Sequence, residues 1–413
     1  MKFFRQNKIE MSKNSTGGLK RSLNLSLLVF YGLGIIIGAG VYVVIGDVVR
    51  IAGPAALLSF IVAGSLAFLT ALCYAELASR YPEAAGAAAY VKEAFKSNQL
   101  SLLTGFLVTL VVLITAATIA HGAAFYAKIF LPLPENCIAG LIIIIFTGVS
   151  CLGVKDSVRA AAFMTVIELT GLVLAVGAGW EPVLNIFNTQ THFIPASAEA
   201  WRTVFLGAFF AFFAFTGFEN LANMAEEAQG ERRTIPYAIL ASLGISTVIY
   251  MIVALVVIAG LSSEGSTSSP GSLLSVMENS GWGLTNFFAL LAMIAVSNGV
   301  LIQILMLARL FYGMARRELL PIFLSKLSNK QVPMNATLMA GSMVLISAYL
   351  LPFEALLRWS TVLTLLIFAL VSSSVWAMHY RTNLPSPDFR APCWVPPAAV
   401  FGNLGLIIIQ FIL

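Results

Sequence analysis

Gly32-Leu33-Gly34-Ile35-Ile36-Ile37-Gly38-Ala39-Gly40-Val41-Tyr42 lies in the middle of one apolar run, and Ala211-Phe212-Phe213-Ala214-Phe215-Thr216-Gly217-Phe218-Glu219-Asn220 lies in the middle of another. Backbone inside a bilayer has no water to bond, so such runs must be helical. A glycine-rich interruption in mid-span is tolerated only where it lines a cavity or is buried in protein. Taken alone, the first stretch is better explained by close helix packing through small residues. The matched second stretch, with Glu219 beside it, turns the reading toward two unwound segments.

The rest of the chain fits that setting. Of 413 residues, 59% are apolar and 10% charged, against about 25% charged in an ordinary soluble domain. The charges sit in short clusters between uncharged runs of about 20 residues, the length that crosses a hydrocarbon core. This composition excludes a soluble enzyme, a secreted disulfide scaffold, a disordered chain and a nucleic-acid binder; ten-residue alternating strands are absent, which argues against an outer-membrane barrel. Eleven spans follow, near 24–48, 54–78, 100–130, 136–154, 159–180, 203–224, 236–260, 283–312, 335–351, 355–379 and 395–413. Residues 1–22 read as a polar tail, and no small-residue cleavage site follows the first run, which is expected to be a retained signal anchor. Threading from a cytoplasmic N-terminus places twenty of the 24 basic residues inside and leaves Arg50, Lys128, Arg202 and Arg358 outside. The positive-inside rule asks for that bias, and it places the protein in the cytoplasmic membrane.

Five spans separate Gly38 from Gly217, so the two interruptions open corresponding segments. That is the pattern of an inverted-repeat, five-plus-five helical transporter with broken first and sixth spans. The expected organisation is a tail at 1–22, a first five-helix repeat at 23–180, an extracytoplasmic loop at 181–200, a second repeat at 201–380, and a loop with an eleventh span at 381–413. An unwound segment offers N–H groups of one half-helix and C=O groups of the other, a positive pole for a carboxylate and a negative one for an ammonium. An amino acid carries both charges.

These residues also carry a family resemblance. Ile36 to Tyr42, Tyr74-Ala75-Glu76-Leu77-Ala78-Ser79-Arg80-Tyr81-Pro82 with Gly86 and Tyr90, Phe213 to Glu219 with Glu226-Glu227 and Arg232 to Pro236, and Ala308-Arg309 with Met314-Ala315-Arg316, Leu319-Leu320-Pro321, Pro333 and Ala336 resemble, in order and sidedness, the amino acid–polyamine–organocation permeases. The resemblance covers most of residues 24–395. It implies that Ile36, Gly38, Ala39 and Gly40 cradle a substrate α-carboxylate, that backbone around Phe213, Ala214, Thr216 and Gly217 meets the α-amino group, and that Phe213 is an aromatic lid. The chain departs from the family at Ala39, where a hydroxyl residue is common, and at Ala85 and Ala88; the family mostly has twelve spans, and here the twelfth is either absent or lost to a shortened reading frame.

Glu168 and Glu219 stand inside spans, where an ionised group is costly unless paired or hydrated. Glu219 follows the second interruption and is expected either to link substrate binding to protonation or gating, or to hold the break in shape. Glu168 stands where several relatives have a lysine acting in place of a sodium ion; it could carry H⁺, bind Na⁺ or pair with a neighbouring span. His121 is either a polar contact between helices or a proton relay, and Ser297, Asn298 and Gln303 either face the pathway or serve packing. Glu226, Glu227, Arg232 and Arg233 are candidates to pair with Arg80, Arg316 or Arg317 at an inner gate. The expected function is a secondary carrier of an amino acid or related amine working by alternating access, coupled to H⁺ in preference to Na⁺, with an exchanger as the alternative. The paired breaks argue against a channel. Neither a phosphate-binding glycine loop nor a His-Glu-x-x-His zinc site is present, so no enzyme activity, metal or cofactor is expected; the partners are a small-molecule substrate and the bilayer, with no nucleic acid.

Overall fold

The computed structural model describes residues 24–81, 86–152, 154–186, 193–222, 224, 228, 233–261, 272–316, 320–328, 332–381 and 384–412. The expected tail at 1–22 lies outside them, as do Glu226, Glu227, Arg232 and Arg317. The helices are α1 (Leu25–Ala52), α2 (Ala56–Arg80), α3 (Gly86–Phe95), α4 (Asn98–Ala127), α5 (Glu135–Leu152), α6 (Val154–Ala178), α7 (Trp180–Ile186), α8 (Ala198–Ala214), α9 (Glu219–Ala222), α10 (Thr234–Leu261), α11 (Ser272–Asn279), α12 (Thr285–Arg316), α13 (Met334–Leu350), α14 (Phe353–His379) and α15 (Val395–Ile412). Among the described residues nine helical stretches can cross a bilayer by length and composition, the first running Gly40–Arg80 through the 3-10 turn Gly53–Ala55; Leu25–Gly38 and Met334–Leu350 are shorter apolar helices. All eleven apolar runs fall on helices, and spans 1 to 11 are α1, α2, α4, α5, α6, α8 with α9, α10, α12, α13, α14 and α15. This is a multi-pass membrane protein.

Helix starts are set by local chemistry. Asn24, Ser97 and Ser197 precede α1, α4 and α8, and each side-chain oxygen accepts a backbone N–H three residues on, from Leu27, Leu100 and Ala200. Such caps satisfy donors that the first turn leaves without partners. Two packing groups result. Helices α1, α2, α8 and α10 lie against one another, and α4, α5, α12 and α13 form the second group; α6 leans on α12, and α14 joins α4 to α15.

The first span corrects the sequence reading. α1 runs from Leu25 to Ala52 without interruption, and none of Gly32, Gly34, Gly38 or Gly40 is among the positive-φ glycines. Its N–H groups at Ile36, Gly38, Ala39 and Gly40 are therefore spent within the helix and form no free cradle. The glycines serve contact instead. A Cβ on Gly40 would stand 2.6 Å from the Ala214 Cα, and one on Gly34 or Gly32 would strike Thr165 or Ser242. In an apolar medium a continuous helix keeps every backbone bond, and small residues let neighbouring backbones approach.

A matched pair of substitutions tests this. Gly244, within α10, has nothing within 4 Å of the position a Cβ would take, so Gly244→Ala is expected to hold or raise the melting temperature, by up to about 1 kcal/mol of stability. Gly40→Ala, whose Cβ would meet backbone, is expected to lower it. Equal melting temperatures in detergent would show that α1 and α8 are not in contact at Gly40.

Candidate functional site

The second interruption is present, and its cause is local. α8 stops at Ala214, and Phe215 caps it with an N–H directed at the carbonyls of Phe212 and Phe213. Thr216 then donates both its N–H and its hydroxyl to the Phe213 carbonyl, at 3.2 and 2.7 Å. Gly217 follows at φ +116, a conformation open to glycine because it has no Cβ. Its N–H donates to Glu219 Oε2 at 2.8 Å, and α9 begins. Of the two roles expected for Glu219, the geometry displays the structural one: its carboxylate ties down the break. Gly217 is also pressed against α1, where a Cβ would stand 2.6 Å from Ile35 Cγ2 and 3.2 Å from the Ile35 carbonyl oxygen. The broken segment of span 6 and the centre of span 1 are thus neighbours, although only one of them is broken.

Three tyrosine hydroxyls converge on main-chain carbonyls around this junction. Tyr250 of α10 lies 2.6 Å from the Ile36 carbonyl and 2.7 Å from that of Ala214. One O–H proton therefore serves two acceptors, one on α1 and one on the last turn of α8. Tyr42 of α1 donates to the Glu168 carbonyl at 2.7 Å, and Tyr126 of α4 donates to the Tyr42 carbonyl at 2.8 Å. All three side chains are fully buried. Tyr250 is the functional candidate that sequence reasoning missed; a polar ring in the middle of the apolar run of span 7 is the signal that marks it.

Glu168 completes the junction. It is 0% exposed, and among the described residues neither carboxylate oxygen has a hydrogen-bond partner. A Cβ built on Gly38 would stand 3.5 Å from Glu168 Oε2, so the glycine leaves the space into which the carboxylate points. Thr165, one turn earlier on α6, accepts from Asn298 Nδ2 of α12 at 3.2 Å, and Asn298 Oδ1 is a further buried oxygen without a donor. Acceptors are in excess around α1: the Ala214 carbonyl shares the Tyr250 proton with the Ile36 carbonyl, which has its helical donor besides, and among the described residues the side-chain oxygens of Glu168 and Asn298 Oδ1 have none. That arrangement suits a proton, a cation or an ammonium group.

The structure sets Ile36 and Gly40 beside Ala214, and Gly217 against Ile35, while Gly38 meets Glu168 on another face of α1. Phe213 is buried one residue before the α8 terminus, and Thr216 is spent on its own turn. Ala39 belongs to α1, and its side chain lies outside the described residues. His121 stands apart and makes the helix-packing contact, with Nε2 at 2.8 Å from the Ala348 carbonyl of α13 and Nδ1 at 3.2 Å from Glu135 of α5. Among the expected gate charges, Arg80 pairs with Glu76, Arg233 donates to the Asp388 carbonyl, and Arg316 lies over the Tyr312 ring.

A profile of the amino acid permease family matches residues 23–413. The chain belongs to that family. Among curated relatives, the permease is 32% identical over 390 residues to the mitochondrial cationic amino acid transporter 3 of Arabidopsis thaliana, an alignment covering 88% of this chain and 63% of that one. It is 28% identical to human cationic amino acid transporter 4, over 95% of this chain and 65% of the relative. Against the branched-chain amino acid permease BcaP of Bacillus subtilis the identity is 26%, over 99% of this chain and 92% of the relative. The permease thus spans less than two thirds of the length of these two cationic transporters.

Tyr250→Phe keeps the ring contacts with Phe60 and Phe215 and removes only the shared proton. It is expected to lower the permease's stability by about 1–3 kcal/mol, the cost of leaving a buried acceptor unsatisfied. A thermal melt indistinguishable from the parent's would show that neither carbonyl depends on the hydroxyl.

Proposed function

We propose that this permease is a secondary carrier that moves an amino acid across the cytoplasmic membrane by alternating access, with its N-terminus inside and with H⁺ as the coupling ion. The observation that carries the reading is the acceptor-rich junction where the broken sixth span meets the first and fifth. The substrate ammonium, with three donors, takes over the work of the single Tyr250 proton between the Ile36 and Ala214 carbonyls. The α-carboxylate then needs N–H groups that α1 releases only by opening at Gly38-Ala39-Gly40. Two glycines there, each about 1 kcal/mol poorer than alanine in a helix, keep that opening accessible.

The packing of the helices supports the five-plus-five reading of residues 23–180 and 201–380. Span 1 lies along span 7, and span 2 along span 6; span 3 meets span 9, and span 4 meets span 8; span 5 leans on span 8, and span 10 on span 3. Each pair returns its counterpart when every span number is shifted by five. In this reading spans 1, 2, 6 and 7 move against spans 3, 4, 8 and 9.

Glu168 is the coupling group. Its unpartnered carboxylate lies against Gly38, where α1 opens, so loading and releasing a proton there acts on the segment that meets the substrate. The same excess of acceptors favours a cationic amino acid, in keeping with the names of the two cationic relatives. The near end-to-end match to BcaP favours a branched-chain substrate as the second reading.

Reconstituted protein separates these possibilities. L-arginine is expected to raise the melting temperature more than L-isoleucine, since a ligand of the folded state stabilises it; the reverse order selects the branched-chain reading. Uptake of L-arginine is expected to rise with an imposed proton gradient and to ignore a sodium gradient. Glu168→Gln is expected to abolish the proton dependence while exchange across the membrane continues. Dependence on both ions unchanged from the parent removes Glu168 from coupling, and flux that always requires substrate on the far side identifies an obligate exchanger.

A further inference from the structure

The last turn of α2 grips a distant loop. Glu76, Ser79 and Arg80 lie on one helix face, three and four residues apart. They reach the segment between α14 and α15. Glu76 is fully buried; its Oε1 pairs with Arg80 at 2.7 Å, while its Oε2 accepts from the Ala391 N–H at 3.0 Å and lies 2.9 Å from His379 Nε2. Arg80 donates a second hydrogen bond to the Pro385 carbonyl at 2.8 Å. The Ser79 hydroxyl accepts from the Phe389 N–H at 3.3 Å and lies 3.1 Å from the Phe389 carbonyl. From the other side, Arg233, immediately before α10, donates to the Asp388 carbonyl at 3.2 Å.

Residues 385–391 are therefore held at once by the end of α2 and by Arg233 at the start of α10, while His379 at the end of α14 meets the same Glu76 carboxylate. A loop that merely joined α14 to α15 would need none of the contacts to α2 and α10. Those two helices pack against each other and against α1 and α8, the group that carries the broken segment. Their ends on this side are joined through main-chain groups of one loop, at a carboxylate out of contact with water. Separating such a pair leaves a buried charge without its partner, which is strongly unfavourable.

We propose that residues 385–391 form a clamp that fixes the ends of α2 and α10 to each other, so that spans 2 and 7 tilt as one body, with Glu76 as the positioning residue that keeps the clamp shut throughout the cycle. The proposal rests on the carrier reading above and adds a mechanical element to it.

Hydrogen exchange of the reconstituted full chain, read by mass spectrometry on peptides covering residues 386–391, reports the clamp directly, because the Ala391 and Phe389 amides are its donors. The parent is expected to be protected equally with and without L-arginine. Glu76→Gln and Ser79→Ala are each expected to raise exchange about tenfold, to retain the L-arginine-induced rise in melting temperature, and to lower L-arginine uptake about fivefold or more. Ser79→Ala carries the test alone if Glu76→Gln does not fold. Exchange unchanged in both variants, fast exchange with uptake within about twofold of the parent, or a parent whose exchange rises about tenfold with L-arginine each overturn the clamp. Absence of amino acid uptake by the parent overturns the carrier reading, while the exchange measurement still decides whether Glu76 and Ser79 hold the loop.

Discussion

A single hydroxyl proton shared by two carbonyls holds the centre of this permease together. Tyr250 reaches from α10 to the Ile36 carbonyl of α1 and the Ala214 carbonyl at the end of α8. The Ala214 carbonyl is one of the four that every helix C-terminus leaves without an intrahelical partner. In water such a group would be hydrated; here it is buried, and α8 can end in mid-span because a neighbouring helix supplies the donor. Glu219 does the corresponding work on the far side of the break by accepting the Gly217 N–H. The break thus has partners on both sides, at Ala214 and at Gly217, and its geometry is set by three helices at once.

The membrane architecture was legible in the sequence because the bilayer imposes it one span at a time. Run length suffices for placing the spans, and all eleven runs fall on helices. The interruption at Gly217 was legible too, since a glycine between two phenylalanines and followed by a carboxylate has a local reason to leave the helix. The first span was misread for an equally physical reason. Glycine spacing alone does not distinguish an unwound segment from a groove, and only the neighbours at Thr165, Ser242 and Ala214 show that Gly34, Gly32 and Gly40 are points of contact. Tyr250 escaped notice because its partners are main-chain atoms 36 and 214 residues away, and no side-chain motif records such a bond.

The charges divide by environment. At the end of α2, Glu76 is buried but has three donors and a place in a network that includes Arg80 and His379. In the centre, Glu168 is equally buried and has no partner. The first arrangement suits a fixed structural tie. The second suits a group whose partner arrives and leaves.

Two acceptors at the junction, the Ile36 and Ala214 carbonyls, belong to the peptide backbone, and this bears on how such a protein diversifies. Replacing Ile36 or Ala214 changes the shape of the surrounding surface but leaves each carbonyl where the helix puts it. Selection can therefore enlarge, shrink or reshape the surrounding space in many small steps without moving these two oxygens, so one scaffold can change its surface while this point is inherited intact.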